Sequence, residues 1–338
     1  MFVLGLQGSP RLKGNTSILL SAFLDEAKRL GAHTQRLHAA RQKVAPCQEC
    51  GNCEKKGSCA IDDDMQQIFS LLRQADIIVI ATPVFFYGPT AQLKALIDRS
   101  QTLWARKYVH KLVDPGRKWR RGLLLSVGAT KGKNLFDGVA LTAKYFFDAV
   151  GARFDGSLTY RQIEAAGEIA RHPTALEDAK AMAKKFVTPM MNRKKVLYVC
   201  TENACRSQMA SAFTQYHAGD RIEVESGGSA PAQEANPVMV EVMAERGIDM
   251  AFREPKTIED AVRRMKPELV VSMGCEVACP VFPGATNQEW DLQDPSGKPI
   301  EFMREVRDDI EQRVKKLIST ITGNGQGATK LKSLDSRR

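Results

Sequence analysis

The 338-residue chain predicts two α/β domains in series, a doubly wound parallel sheet followed by a smaller α/β unit. Three observations carry this. Apolar runs at Phe2–Leu6, Asp76–Ala81 and Gly122–Val127, and again at Val196–Val199 and Glu268–Met273, read as buried parallel strands. Polar loops and apolar patterns of helical period alternate with them. The eight cysteines fall into two sets, Cys47, Cys50, Cys53 and Cys59, then Cys200, Cys205, Cys275 and Cys279, which implies two separate chemistries.

Composition is that of an ordinary globular protein, 43% hydrophobic and 26% charged. No segment approaches the ~20 apolar residues of a membrane span, and the chain enters its first strand without a secretory signal. A cytoplasmic protein is expected. Thiols stay reduced there, so clustered cysteines point to metal or redox chemistry. The net charge of +10 raises nucleic acid as a partner. The basic runs Arg117–Arg121 and Asn192–Lys195 read instead as solvated faces beside strands, and no nucleic-acid or membrane partner is expected.

In the first half, Phe2–Leu6 leads into Gly8–Ser17 (GSPRLKGNTS), and Leu19, Leu20, Phe23, Leu24, Ala27 and Leu30 mark one face of the following helix. Such a loop offers N–H groups and hydroxyls to a phosphate. Its spelling, Gly-Ser-Pro-Arg-x-x-Gly-Asn-Thr, resembles the flavodoxin-like NAD(P)H-dependent FMN reductases. The resemblance implies that Ser9, Arg11, Asn15, Thr16 and Ser17 hold an FMN phosphate, with NAD(P)H as electron donor. In that family a Thr-Pro-Val-aromatic-aromatic-Gly segment wraps the flavin. Thr82 here precedes Pro83, Val84, Phe85, Phe86, Tyr87 and Gly88, at the strand end where open α/β sheets bind ligands. Strands at Gly122–Val127 and Arg153–Thr159 and a helix at Ala175–Phe186 complete a flavodoxin-like domain over residues 1–187, for which homo-oligomers are expected.

Between the second strand and a helix at Met65–Leu72, the spacing is Cys47-x2-Cys50-x2-Cys53-x5-Cys59. The compact triplet resembles iron–sulfur flavoproteins, where four thiolates hold a [4Fe–4S] cluster. Zinc, which ordinarily takes two separated cysteine pairs, and a motif that binds nothing are the alternatives.

Residues 188–195 read as a short polar-basic linker, 196–322 as the second domain and 323–338 as a disordered tail. Val196–Val199 delivers Cys200 to a loop, and Met209, Ala210, Phe213 and Tyr216 place a helix from about Arg206. A Cys-x5-Arg loop between a strand and a helix N-terminus is an oxyanion cradle. The stretch Thr201, Glu202, Asn203, Ala204, Cys205 and Ser207 surrounds the anion, Arg206 grips two of its oxygens, and the same field favours a thiolate at Cys200. A buried cysteine beside a surface arginine is the plain alternative.

Cys200, Thr201, Asn203, Cys205, Arg206, Ser207, Met209 and Ala210 together resemble the low-molecular-weight phosphatase superfamily and, within it, the arsenate reductases. The resemblance implies Cys200 as nucleophile and Asp294, of Asp294-Pro295, as general acid. It implies Cys275 and Cys279 as the pair that resolves the arsenic adduct and then the resulting disulfide; Cys205 is assigned no obligatory step. Ser296-Gly297-Lys298 after Asp294-Pro295 is similar to arsenate reductases, where tyrosine phosphatases have an aromatic residue. The whole chain therefore reads as an arsenate reductase fused to a flavin electron-transfer domain that re-reduces it, with thioredoxin, ferredoxin or a small thiol as other reductants. A tyrosine phosphatase under redox control and a thiol-based arsenic sensor are the competing readings.

Overall fold

The computed structural model describes residues 1–274 and 282–323. Cys275, Cys279 and the tail expected to be disordered beyond Gly323 lie outside the described residues. The first half runs β1 (Phe2–Gln7), α1 (Asn15–Arg29), β2 (His33–His38), α2 (Asn52–Lys56), α3 (Met65–Gln74), β3 (Ile77–Pro83), α4 (Ala91–Arg99), α5 (Gln101–Tyr108), β4 (Arg121–Gly128), α6 (Asp137–Ala149), β5 (Arg153–Arg161) and α7 (Ala175–Met191). Its sheet has the order β2-β1-β3-β4-β5 with every pair parallel, the flavodoxin-like order. The central strands are apolar throughout because both their faces are covered. Leu4, Leu6, Ile78, Ile80 and Leu124 pack with Phe69, Leu93 and Phe147 on one side. Val3, Ile77, Val79, Leu123 and Leu125 meet Leu19, Phe23 and Phe186 on the other.

The second half runs β6 (Lys194–Cys200), α8 (Arg206–Ala218), β7 (Ile222–Gly228), α9 (Pro237–Glu245), α10 (Ile258–Arg264), β8 (Leu269–Ser272), β9 (Thr286–Glu289) and α11 (Ile300–Ile321). The parallel order is β7-β6-β8-β9. Edge strand β9 (TNQE) has no apolar signal, because all four of its residues are exposed. Among the described residues no helix is long and apolar enough to cross a membrane.

The two sheets meet at the N-terminal ends of their strands. Asp76, just before β3, accepts from Arg193 Nη1 at 2.8 Å, just before β6. The Met1 amine meets Glu223, and Trp119 Nε1 donates to the Gln215 carbonyl at 3.0 Å. Val113 and Asp249 extend the backbone pairing, with Val113 N–H donating to Gly247 at 2.7 Å and Asp249 N–H to Val113 at 2.9 Å. At the centre, Arg73 reaches both Asp114 and Asp249 at 2.5 Å, Arg106 holds Asp249 at 2.8 Å and Arg120 holds Asp114 at 3.1 Å.

Two expectations change here. Arg120 and Arg193 are buried at this junction rather than solvated, because each finds a carboxylate and backbone carbonyls to satisfy it. The connection expected over 188–195 shrinks to Asn192 and Arg193: α7 continues past Pro189, with Met190 buried in the first core, and β6 starts at Lys194.

Burial pushes the Asp114 and Asp249 carboxyls up, but the surrounding guanidiniums outweigh it and hold both below the usual carboxylate range. Such carboxyls bind protons less readily in the folded than in the unfolded chain. Their stabilisation is therefore present above the ordinary carboxylate pKa of about 4 and is lost as pH falls below it. Asp249→Ala leaves Arg106 without its carboxylate and Arg73 half-paired, with an expected loss of about 3–5 kcal/mol. Urea unfolding at pH 7 should show that loss as a single transition splitting into two, and the difference from the parent should shrink below about pH 4.

Candidate functional sites

The apolar strand β6 carries Cys200 to its C-terminal end, and α8 begins at Arg206 as the spacing predicts. Between them the loop is turned inside out. The carbonyls of Thr201, Glu202 and Ala204 accept N–H bonds from Ala230, Ala232 and Asn236, each at 2.9–3.0 Å. With its carbonyls held outward, none of the N–H groups of Glu202–Arg206 has an acceptor among the described residues. They are free for an anion. Gly228 closes the loop from behind, where an added Cβ would stand 2.5 Å from the Thr201 carbonyl and 2.9 Å from the Asn203 nitrogen.

The buried Cys200 Sγ lies 3.0 Å from Ser207 Oγ, which accepts from Asn203 Nδ2 at 2.8 Å. That acceptance leaves the Ser207 proton to donate to sulfur. Asn203, at φ 50°, is itself held by donation from Lys256 N–H at 3.0 Å and Gln208 Nε2 at 3.4 Å. Ser207 and Asn203, expected among the substrate contacts, thus support the sulfur and the loop. Buried Arg206 donates to the Leu292 carbonyl at 3.2 Å, and its other terminal nitrogen lies 3.2 Å from Asp294, which is 58% exposed at the loop's mouth. Gly274, at φ 63°, leaves room for the guanidinium; a Cβ there would stand 2.7 Å from Nη1. Burial, then the neighbouring Cys200, pushes the Cys205 thiol up, and its sulfur contacts Met303 Sδ at 3.4 Å. Such a thiol stays neutral and packs against α11. Sequence reading missed Gly228, Gly274, Lys256 and Gln208, which act from distant positions and form no local motif.

The C-terminal edge of the first sheet holds a cavity of about 220 Å³. Ser9, Arg11, Asn15, Thr16, Pro83, Val84 and Phe85 line it, joined by Gly128 and Ala129 after β4 and by Ile163 and Glu164 after β5. The β5 loop carried no recognisable spelling. Thr16 Oγ1 is buried with no hydrogen-bond partner among the described residues, at the first turn of α1. Two expected phosphate ligands are otherwise employed. Asn15 donates to the Ala165 carbonyl at 2.9 Å and accepts from Ile169 N–H at 3.2 Å, tying α1 to the β5 loop. Ser17 accepts from Arg36 at 3.1 Å and does not line the cavity. Phe85 and Gly88 exchange two 2.9 Å backbone bonds across Phe86 and Tyr87, which have positive φ. This hairpin leaves Phe86 fully exposed and Tyr87 half-exposed, so both project from the rim while Phe85 alone reaches the cavity.

Residues 1–142 match the family of NADPH-dependent FMN reductases, and residues 195–327 the low molecular weight phosphotyrosine protein phosphatases. A putative arsenate reductase of Halobacterium salinarum is 37% identical over 35% of this chain and 85% of its own length. The chain is a fusion of these two families. On the flavin-family side, an iron–sulfur flavoprotein of Methanosarcina thermophila is 38% identical over 39% of this chain. The chain spans 65% of that relative, and 53% and 45% of two further iron–sulfur flavoproteins from Methanocaldococcus jannaschii and Archaeoglobus fulgidus. Among solved structures, a thioredoxin-dependent arsenate reductase of Corynebacterium glutamicum is 32% identical, covering 45% of this chain and 77% of that one, with a TM-score of 0.35.

An FMN suits the reductase-family half: the Thr16 hydroxyl and the N–H groups of Leu12, Lys13 and Thr16, which have no acceptor or donor partner among the described residues, meet what a phosphate requires. The cysteine motif gives a mixed answer. Cys47, Cys50, Cys53 and Cys59 are all free thiols and line one cavity of about 600 Å³, a donor set suited to soft metal. Among the described residues, however, no three of them converge closely enough to hold a metal ion.

Gly228→Ala should cost at least about a hundredfold in turnover, because backbone on both sides of the added methyl cannot yield without moving the cradle; steady-state kinetics at saturating substrate would measure it. Thr16→Val, nearly isosteric, should weaken FMN binding roughly tenfold or more by removing a hydrogen bond to a charged group. Fluorescence titration of the apoprotein with FMN would read that change.

Proposed function

We propose that the phosphatase-family half reduces arsenate to arsenite and that the flavin half supplies the electrons from NAD(P)H. The observation that carries the first part is the inverted Cys200 loop, whose unengaged N–H groups, buried Arg206 and sulfur-directed Ser207 suit a tetrahedral oxyanion attacked by a thiolate. Arsenate enters the cradle, Cys200 attacks arsenic, and a water departs with a proton delivered from Asp294 at the mouth. A second thiolate then attacks the Cys200 sulfur. The sulfur–arsenic bond breaks with its electron pair staying on arsenic, so arsenite leaves and a disulfide remains. The sequence assigns that second thiolate to Cys275 and the resolution of the disulfide to Cys279. FMN, when bound, accepts hydride from a nicotinamide and passes on an electron pair. Ser9, Arg11, Thr16, Pro83, Val84 and Phe85 are positioned to hold it. Were a [4Fe–4S] cluster bound, Cys47, Cys50, Cys53 and Cys59 would be its thiolates; their donor chemistry and the relatives' names support that reading, and it requires them to draw closer than they stand here. No step of the mechanism depends on it.

Arsenate is favoured over a phosphate ester by the arsenate reductase relatives and by the small residues that follow Asp294-Pro295. Cys200→Ser is expected to abolish arsenite formation, because a hydroxyl stays protonated where a thiolate is needed. Cys275→Ser and Cys279→Ser should each stop multiple turnover while leaving a first reaction with arsenate at Cys200. Arsenite released per chain, measured against hydrolysis of a chromogenic phosphate monoester, separates the two activities. Undiminished arsenate turnover in the Cys275 and Cys279 variants would remove the thiol relay, and ester hydrolysis as the dominant reaction would make the chain a phosphatase.

A further inference from the structure

We propose that Phe252 is a positioning residue for the Cys200 loop: seated in the first half, it holds the strap of residues 249–256 that fixes Asn203. This rests on the reading that Cys200 attacks an oxyanion bound in its loop. The strap begins at Asp249, shortly after α9, where the carboxylate takes Arg73 at 2.5 Å and Arg106 at 2.8 Å from the first half. Arg106 is itself fixed by donating to the Gly57 carbonyl at 2.8 Å. Asp249 also accepts from the Ala251 N–H at 3.0 Å, which closes a tight turn. Phe252 follows at φ 63°, a conformation that a bulky side chain rarely adopts. Its ring lies 4.8 Å from that of Phe69 in α3 and packs against the core of the first half, with the Arg106 guanidinium 6.0 Å from its centroid. That ring contact offsets the backbone strain.

Beyond Phe252 the strap meets the supports of the Cys200 loop. The Glu254 carbonyl accepts from Gln208 Nε2 at 3.3 Å. The Lys256 N–H donates to Asn203 Oδ1 at 3.0 Å, and the Lys256 carbonyl accepts from the Gly228 N–H at 2.9 Å. Arg253 donates to Gln215 Oε1 of α8 at 2.6 Å. A cavity of about 90 Å³ lies beside the strap, lined by Arg73 and Asp114 of the first half and by Gln208, Glu254 and Lys256. The strap is therefore held at separate points rather than by close packing along its length. With Oδ1 of Asn203 held by the strap, its Nδ2 is aimed at Ser207 Oγ at 2.8 Å, which in turn lies 3.0 Å from Cys200 Sγ. Residues seated in the first half thus set the side chain beside the reacting sulfur. Among the described residues, Arg206 and the N–H groups of Glu202–Arg206 make no hydrogen bond to the strap. Sulfur orientation and anion binding are accordingly separable.

The test compares full-length Phe252→Ala, Phe252→Gly and Phe252→Tyr with the parent. Each is assayed on arsenate with an added dithiol and, separately, on a chromogenic phosphate monoester. The first two remove the ring, and Phe252→Gly also takes the positive φ without strain; Phe252→Tyr keeps the ring. Turnover at saturating substrate should fall about tenfold or more in both ring-free variants and stay within about threefold of the parent in Phe252→Tyr. KM and inhibition by inorganic phosphate should move less than about threefold in all of them. Asn203→Ala should cost at least as much, and adding Phe252→Ala to it should cost less than about a further threefold, because both act along one route. If Phe252→Ala does not fold, Phe69→Leu alters the same contact from the first half and should lower turnover severalfold in the same way. Full turnover in the ring-free variants, or a parental rate in Phe252→Gly alone, overturns the ring as the anchor. Losses that multiply in the Asn203→Ala background overturn the route through Asn203. A parent that turns over neither substrate overturns instead the reading of Cys200 as the nucleophile.

Discussion

The constraint on which the rest of this structure depends is the pairing of two buried aspartates with three arginines at the bases of the sheets. Asp114 and Arg120 lie in the connection before β4, Arg73 ends α3, Arg106 comes from α5, and Asp249 follows α9. Neither half can satisfy all these charges alone. A buried ion pair is weak evidence for net stability, since desolvation offsets much of the attraction, but losing one partner is costly. The network therefore specifies relative position more than it adds strength. It ties together two units that are otherwise joined by a two-residue connection.

Both candidate sites use one device in different chemical dress. Each lies where a parallel strand ends, a loop exposes N–H groups and a helix begins. In the flavin half the buried hydroxyl of Thr16 is left over for a phosphate oxygen that stays bound. In the phosphatase-family half a thiol takes the corresponding place, with Ser207 Oγ 3.0 Å from its sulfur. A hydroxyl suits holding an anion, whereas a sulfur can also attack one. Supporting bonds differ accordingly: the Cys200 loop has its carbonyls fixed from the 230–236 segment, whereas the Gly8–Ser17 loop is tied through Asn15 to the segment after β5.

The parallel strands were legible because burial on both faces requires uninterrupted apolar runs, as in IIVIA or VLYV. Cys200 and Arg206 were legible because one loop contains the whole spacing. That the side chains of Asn15 and Ser17 are bonded to the Ala165 carbonyl and to Arg36 was not legible, because spelling records residue type and not what the side chain is already bonded to. Arg120 and Arg193 misled for a related reason: a basic run looks solvated until its partners are brought beside it, for Arg193 the Asp76 carboxylate 117 positions away and for Arg120 the Asp114 carboxylate with the Ala75 carbonyl 45 positions away. Edge strand β9 carried no apolar pattern, and Gly228 and Gly274 matter only through atoms that approach them from elsewhere in the fold.

Joining two catalytic units usually suggests a tether that raises the effective concentration of one for the other. That logic requires a linker able to span the sites, and here the connection is two residues held between a helix and a strand. Covalent joining here does a different job. It fixes the ratio of the units at one to one, and the buried pairing of Arg73 with Asp114 and Asp249 sets how they sit against each other. An ion-pair network suits that role better than a flexible segment does, because each lost partner leaves a buried charge uncompensated.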